Sequence, residues 1–322
     1  MSLKSLKNTL IKIPLAVRMK RYLDRKIALS ARIQSRYYRH MDAVAPRVLF
    51  DKMLDYWKKE IHVSDKTAND WLCAAFDYER YFYALEQIRL EFGDLTDRKV
   101  AEIGCGWGTF LSLLAREGAV LQACEIAPVH VEIAQMRVPS ARVILGDARE
   151  LRGFDSGQFD FVVEHDVFEH IGDPADGIGP IGRSYVDKLA NLTELRRILR
   201  PGGRGFLSTP NFQFPYDGEV HLWFVHWLPH EYQMRYLSNH QLNSDRYWLC
   251  TWDQVQKLFA EAGLIIEKVI TPPHNALSLR NSIMSFLNRD PQFKKGFAEI
   301  LLELMLNRPE YMPSWMVFFK KG

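Results

Sequence analysis

Short apolar runs alternate with amphipathic segments of helical period through the middle of the chain, the pattern of a parallel sheet covered on both faces. "KVAEIG" (99–104) reads as a first strand, and "TFLSLLAREG" (109–118) as a helix that Gly118 can cap. "AVLQACEI" (119–126), "ARVILGD" (141–147) and "FDFVVEH" (159–165) continue as strands, with "PVHVEIAQMRV" (128–138) a helix between the first two. A long helix, "SYVDKLANLTELRRILR" (184–200), is expected to stop at "PGG", leaving "RGFLSTP" (204–210) as a fifth strand. After the aromatic stretch "FQFPYDGEVHLWFVHWLPHEYQMRYL" come a helix "TWDQVQKLFAEAG" (251–263), a strand "LIIEKVI" (264–270) and a last strand "SWMVFFKK" (314–321). Residues 1–96 read as helical throughout. The expected organisation is a helical extension over 1–96 and an α/β domain over 97–322, with a substrate-side insertion at about 211–250.

At 322 residues the chain has room for one large domain with additions. Its formal net charge of +3 hides an asymmetry: residues 1–40 hold eleven Lys and Arg against Asp24 alone, a formal +10, which leaves −7 on the rest. Leu15, Met19, Tyr22, Leu23 and Ile27 recur on one stripe of this basic segment. Such a helix either lies on an anionic membrane surface or packs its stripe on the catalytic domain. No apolar run reaches the length that spans a bilayer, and "LIKIPLAV", interrupted by Lys12 and Pro14, lacks a signal-peptide core. The four cysteines are widely spaced, with no CxxC pair, which argues for reduced thiols. The expected location is therefore cytoplasmic, with peripheral contact at the inner membrane surface through residues 1–40. A net acidic catalytic portion without an RNA-binding module argues against a nucleic-acid partner.

The chemistry concentrates in "AEIGCGWGTF". A bare strand-to-helix turn lets a ligand lie against the backbone, and the helix beyond it presents free N–H groups. A dinucleotide fingerprint, GxGxxG, fails here because its sixth position is Thr109. The glycines Gly104, Gly106 and Gly108 instead follow a carboxylate, Glu102, suited to an amino acid's ammonium group. Glu125 closes the second strand, where a carboxylate accepts hydrogen bonds from ribose hydroxyls. Asp147 closes the third, where it can accept from an adenine amino group. Amino-acid end, ribose and adenine together make S-adenosyl-L-methionine.

"VAEIGCGWGTFLSLLA", "CEIAP", "VILGDAREL", "FDFVVEHDVFEHI" and "LRRILRPGGRGFLSTPN" resemble the successive strand-end motifs of class I S-adenosylmethionine-dependent methyltransferases, across about residues 97–211. The resemblance implies a Rossmann-like, seven-stranded methyltransferase sheet with an antiparallel last strand, here "SWMVFFKK". It also implies cofactor contacts from Glu102, Gly104, Cys105, Gly106, Gly108, Glu125, Ile126, Asp147, Ala148 and His165. "DVFEH" is similar to the E-x-x-E-H segment of ubiquinone-pathway O-methyltransferases and small-RNA 2′-O-methyltransferases. There it helps bind a divalent metal, with a further histidine from beyond strand five.

In this chain, which has Asp at the first position, the metal set is Asp166, Glu169 and His170 with a later histidine, His221 or else His226 or His230. A helical turn would bring the first three to one face. The alternative is that Glu169 and His170 make structural hydrogen bonds, as in metal-independent relatives. A histidine base from "EVHLWFVHWLPHEY", His221 or His226, is the other candidate for removing an acceptor's proton. The "HWLP" segment resembles bacterial methyltransferases of polysaccharide or lipid-linked glycan pathways. The expected activity is thus O-methylation of a small molecule, saccharide or lipid-linked glycan. An RNA 2′-O-methyltransferase and a non-catalytic interaction protein are the alternatives.

Overall fold

The computed structural model describes residues 47–60, 62, 68, 79–172, 179–180, 184–217, 222–239, 248–271 and 308–322. The basic segment 1–40 and His221 lie outside these residues. Seven strands form one sheet: β1 (Lys99–Ile103), β2 (Val120–Glu125), β3 (Arg142–Leu145), β4 (Phe159–His165), β5 (Leu199–Pro210), β6 (Leu264–Ile270) and β7 (Ser314–Lys321). Their spatial order is β6-β7-β5-β4-β1-β2-β3. Strands β1 to β5 pair in parallel, while β7 runs antiparallel between β5 and β6. This is the expected α/β architecture, including the reversed last strand.

Strand residues alternate between two buried faces, the signature of a sheet covered on both sides. Ala101, Ile103, Val162, Leu207, Val317 and Phe319 point into a core with helices α5 (Ser184–Ile198) and α7 (Trp252–Glu261). Val100, Phe161, Val163, Phe206, Met316 and Phe318 point to the opposite core. That second core is closed by α2 (Glu79–Phe92), α3 (Thr109–Arg116) and α4 (Pro128–Arg137). Phe92 stacks on Phe161 at 4.6 Å and 7°, which ties α2 to the sheet. The earlier helix α1 (Arg47–Lys59) sets Met53 and Trp57 against Ile133 of α4. α6 (His230–Asn239) follows β5 in the chain. No helix among the described residues is long and apolar enough to cross a membrane.

Two boundaries differ from the sequence pattern. The helix α5 ends at Ile198, two residues early, and the strand begins at Leu199, before "PGG". Phe159 pairs with Leu199 while Phe161 pairs with Arg204, so the intervening residues bulge out of the ladder. A proline and two glycines suit such a bulge, because it needs no donor at the proline and Gly202 is left-handed (φ 71°). The second difference, at residues 166–170, falls in the cleft and is described with it.

Gly205 faces Phe319 across the β5–β7 pair, and a Cβ at Gly205 would collide with the Phe319 ring. That ring is wholly buried and has no room to swing away. Gly205→Ala should therefore destabilise the fold by about 1–3 kcal/mol through overpacking. Urea unfolding checks this: the midpoint should fall while the slope against denaturant stays unchanged.

Candidate active site

A cleft of about 530 Å³ opens at the carboxyl ends of β1, β2, β3 and β4, where open α/β sheets bind ligands. The glycine loop forms its floor. Gly104, Gly106 and Gly108 all take left-handed backbone conformations (φ 70°, 51° and 72°), which side chains resist. Gly104 carries a second constraint, because Val167 occupies the space where its Cβ would stand. Glycine there is required by both backbone and packing.

Glu102, Glu125 and Asp147, the three strand-end carboxylates of the sequence pattern, line this cleft. Glu102 is buried, and its Oε2 has no hydrogen-bond partner among the described residues. Burial raises its carboxyl well above the usual range, and the neighbouring Glu125 charge adds to the shift. An orphaned acceptor in a cleft wall suits a cationic donor such as a ligand ammonium. Glu125 accepts from the backbone N–H of Gly106 at 2.9 Å and from those of Ile126 and Ala127 at 3.0 Å. Burial pushes its carboxyl up, but the hydrogen bonds from His130 and from the Ala127 and Gly106 backbones outweigh it, and the group is held low. It is therefore a carboxylate at neutral pH, and Oε2, with one donor engaged, keeps capacity for a ribose hydroxyl.

Asp147 is held differently. Arg149 donates to both its oxygens, with Nη2 at 2.6 Å from Oδ2, and reaches Asp187 at 3.1 Å. The Arg149 hydrogen bonds hold Asp147 below the usual carboxylate range. Any amino-group donor reaching Asp147 would thus share the carboxylate with a guanidinium. Cys105, Ile126, Ala148 and His165 also line the cleft, whereas Gly108 sits behind it against Ala134 of α4.

The segment after β4 corrects an expectation. Residues 168–170 form a single 3-10 turn, not the start of an α-helix, and Asp166 precedes it in a left-handed conformation (φ 53°). Ser208 fixes Asp166 twice: the Asp166 N–H donates to Ser208 Oγ at 2.8 Å, and the hydroxyl donates to Asp166 Oδ1 at 2.6 Å. His165 Nδ1 lies 3.1 Å from Asp166 Oδ2. Glu169 is wholly buried, while His170 is exposed on the cleft. Asp166, Glu169 and His170 therefore do not converge, because the tight turn sends Glu169 inward and His170 outward. No group of three His, Cys, Asp or Glu side chains able to hold a metal occurs among the described residues. His221, the fourth expected ligand, lies outside them.

His226 also departs from expectation. It is buried away from the cleft, with Nδ1 3.2 Å from Asp217 Oδ2 and Nε2 3.1 Å from the Phe212 carbonyl. Trp227 donates to the same carbonyl at 2.7 Å. With both ring nitrogens engaged, His226 ties the segment after β5 together and is not placed to take a substrate proton.

The cleft contains residues that no sequence pattern singled out. Tyr81, from α2, lies 5.1 Å from the His165 ring and 5.8 Å from Phe110. Trp107 and His130 pack at 3.7 Å, and Tyr56 and Trp57 of α1 cover Trp107 at 5.9 and 5.1 Å. Trp107 adjoins the glycines in sequence and could have been found there. Tyr81 carries no local signal.

Residues 101–207 match the family model "Methyltransferase domain", and the sheet order with its antiparallel last strand is that of the class I S-adenosylmethionine-dependent methyltransferase fold. The ubiquinone biosynthesis O-methyltransferase of Xanthomonas oryzae pv. oryzae (strain PXO99A) is 28% identical over 165 residues, covering 49% of this chain and 63% of that protein. That of Cereibacter sphaeroides (strain ATCC 17025 / ATH 2.4.3) is 30% identical over 166 residues, covering 47% and 60%. The chain thus spans about three fifths of the length of these curated relatives. The solved magnesium protoporphyrin IX methyltransferase from Synechocystis PCC 6803 with bound SAH is 14% identical, with a TM-score of 0.47 over 85% of this chain and 100% of that one.

Two predictions follow from the carboxylates. Glu125→Ala should weaken S-adenosylhomocysteine binding by about 1.5–3 kcal/mol, the usual worth of hydrogen bonds to a charged group. Calorimetric titration of a variant with native circular dichroism checks it, and unchanged affinity would overturn the assignment of Glu125. The other concerns Glu164, wholly buried one residue before the end of β4, whose Oε2 accepts from Asn191 Nδ2 at 3.1 Å. Burial pushes its carboxyl up to about 7, despite the opposing effects of Asn191 and Lys188. The folded state therefore binds this proton more tightly than the unfolded state does. Its contribution is full below the usual carboxylate range and is lost as pH rises toward 7. Glu164→Gln keeps the acceptor and removes the titration. It should gain stability relative to wild type between pH 5 and pH 8, by about 1–3 kcal/mol, measured by denaturant unfolding at both.

Proposed function

We propose that this protein transfers a methyl group from S-adenosylmethionine to an oxygen of a small-molecule acceptor. The observation that carries the reading is the set of Glu102, Glu125 and Asp147 on successive strand ends, all facing one cleft floored by the glycine loop. The oxygen as attacking atom is supported by the curated relatives, which are ubiquinone biosynthesis O-methyltransferases. Saccharide and lipid-linked acceptors stay within this reading, because a hydroxyl is the common chemistry.

The cofactor supplies an electrophilic methyl on a sulfonium. Glu102 accepts from the amino-acid end, Glu125 from the ribose, and the Asp147–Arg149 pair meets the adenine. Tyr81 and Phe110 close an aromatic wall over His165 that excludes water from the reacting end. In this reading His170, exposed on the cleft, takes the acceptor's hydroxyl proton on its ring nitrogen. Positioning supplies much of the remaining acceleration, since the acceptor oxygen needs only to be held in line and dry.

The test incubates the purified protein with methyl-labelled S-adenosylmethionine and fractionated bacterial small molecules, lipids and glycans. Label on an acceptor oxygen is expected, and turnover should persist in excess chelator. His170→Gln should lower kcat by about 10²–10⁴-fold with S-adenosylhomocysteine affinity unchanged, the range for loss of a general base. Label on nitrogen or carbon would overturn the O-transfer reading. Cofactor binding with no transfer to any fraction would overturn the enzymatic one.

A further inference from the structure

The buried stripe of α5 changes character along its length. Leu192, Leu195 and Ile198 at its carboxyl end are apolar, whereas Ser184, Lys188 and Asn191 at its amino end are polar and equally buried. A wholly buried lysine is rare unless it is paired, because removing an ammonium from water is costly. Lys188 Nζ donates to the carbonyl of Phe168 and lies 4.5 Å from the centre of the Phe168 ring. Burial pushes its ammonium down, and the nearby Cys250, Glu169, Glu164 and Asp187 oppose that shift. Charged side chains have thus been enclosed beneath the turn that follows β4.

That turn is where a positioning group would act. Phe168 begins it, and its carbonyl also accepts the Ile171 N–H at 3.3 Å. One residue earlier, Val167 fills the space above Gly104, so the turn rests directly on the cofactor loop. Two residues later, His170 stands in the cleft. Ser208 holds the Asp166 end of the segment from β5. From the other side, the Phe168 carbonyl is held by Lys188 of α5.

We propose that Lys188 is a positioning residue of the active site, whose ammonium clamps the Phe168 carbonyl so that Val167 stays seated on Gly104 and His170 stays aimed into the cleft. The proposal rests on the methyltransferase reading for its ligand, but the clamp itself is a property of the free protein. A lysine serves here because its long stem spans the packed helix–turn interface and its ammonium offers three donors to a carbonyl, a ring face and the carboxylates around it. A residue that only filled the core would need none of these. An apolar side chain of similar length would fill the same volume at lower desolvation cost.

Three variants separate the clamp from simple packing. Lys188→Met keeps the length and loses the donor. Lys188→Gln loses the charge and keeps an N–H able to reach the carbonyl. Lys188→Met combined with Glu169→Gln removes one buried charge of each sign together, and native circular dichroism checks that it folds. In the free protein, hydrogen exchange of the Ile171 amide should speed up in both Met variants, because the carbonyl it shares is no longer held. S-adenosylhomocysteine, titrated calorimetrically, should bind about tenfold more weakly to the double variant, the scale of one hydrogen bond involving a charged group. Lys188→Gln should restore affinity to within about threefold of wild type by keeping the donor.

If the double variant folds natively and matches wild type in both exchange and affinity, Lys188 is packing and the proposal fails. It fails equally if Lys188→Gln is as impaired as the double variant, since the charge and not the donor to Phe168 would then matter. Should wild type itself ignore S-adenosylhomocysteine, the methyltransferase reading falls, and the exchange result alone still decides whether the clamp exists.

Discussion

The cleft depends on one close approach: Val167, from the turn after β4, sits where a Cβ on Gly104 would stand after β1. Neighbouring parallel strands end side by side, and the chain must leave both ends at once without the two turns colliding. Glycine at the first turn solves this by giving up its side chain. The same choice frees the backbone for the left-handed conformation the loop needs (φ 70°). Asp166 makes the matching concession on the other strand, adopting φ 53° with its backbone and carboxylate held by Ser208. Neither turn is relaxed alone, and each is kept in place by the element beside it.

Charge is layered around that contact. On the cleft side, Glu125 is held ionised by backbone N–H groups and His130, and Asp147 by Arg149. Beneath the turn, Glu164, Glu169 and Lys188 are buried where solvent does not screen them. Glu102 lies between the two sets, buried and lacking a hydrogen-bond partner at Oε2 among the described residues. A site built to receive a cation gains from acceptors already desolvated and fixed, because no reorganisation is needed when the ligand arrives. The buried set costs stability in the free protein, which is tolerable only where the apolar cores on both faces of the sheet are extensive.

The aromatic residues divide in a parallel way. Phe206, Phe318 and Phe319 alternate in the strands and fill the cores. Tyr81, Trp107 and Phe110 gather instead in the lining of the cleft, brought there by α2, the glycine loop and the start of α3. His226 and Trp227, equally aromatic in sequence context, are used to fasten the segment after β5 through the Phe212 carbonyl. Similar side chains thus wall a cleft in one place and pin a loop in another.

The sequence by itself determined the elements and the cofactor chemistry, because both are local signals. Period-two alternation sets which strand residues face each core, and the glycines and carboxylates of the loop lie at fixed offsets from strand ends. Tertiary structure decided everything that depends on direction out of a turn or on burial. "DVFEH" reads as one face of a helix, but residues 168–170 form a 3-10 turn, so Glu169 goes inward and His170 outward. The strand crossing "PGG" was invisible because a bulge keeps its pairing while losing its pattern. His226 looked like a base until Asp217 and the Phe212 carbonyl took both its nitrogens. Lys188 reads as a surface lysine on an amphipathic helix. It is buried because α5 turns that face toward Phe168, and only the fold brings together two groups twenty residues apart in the chain.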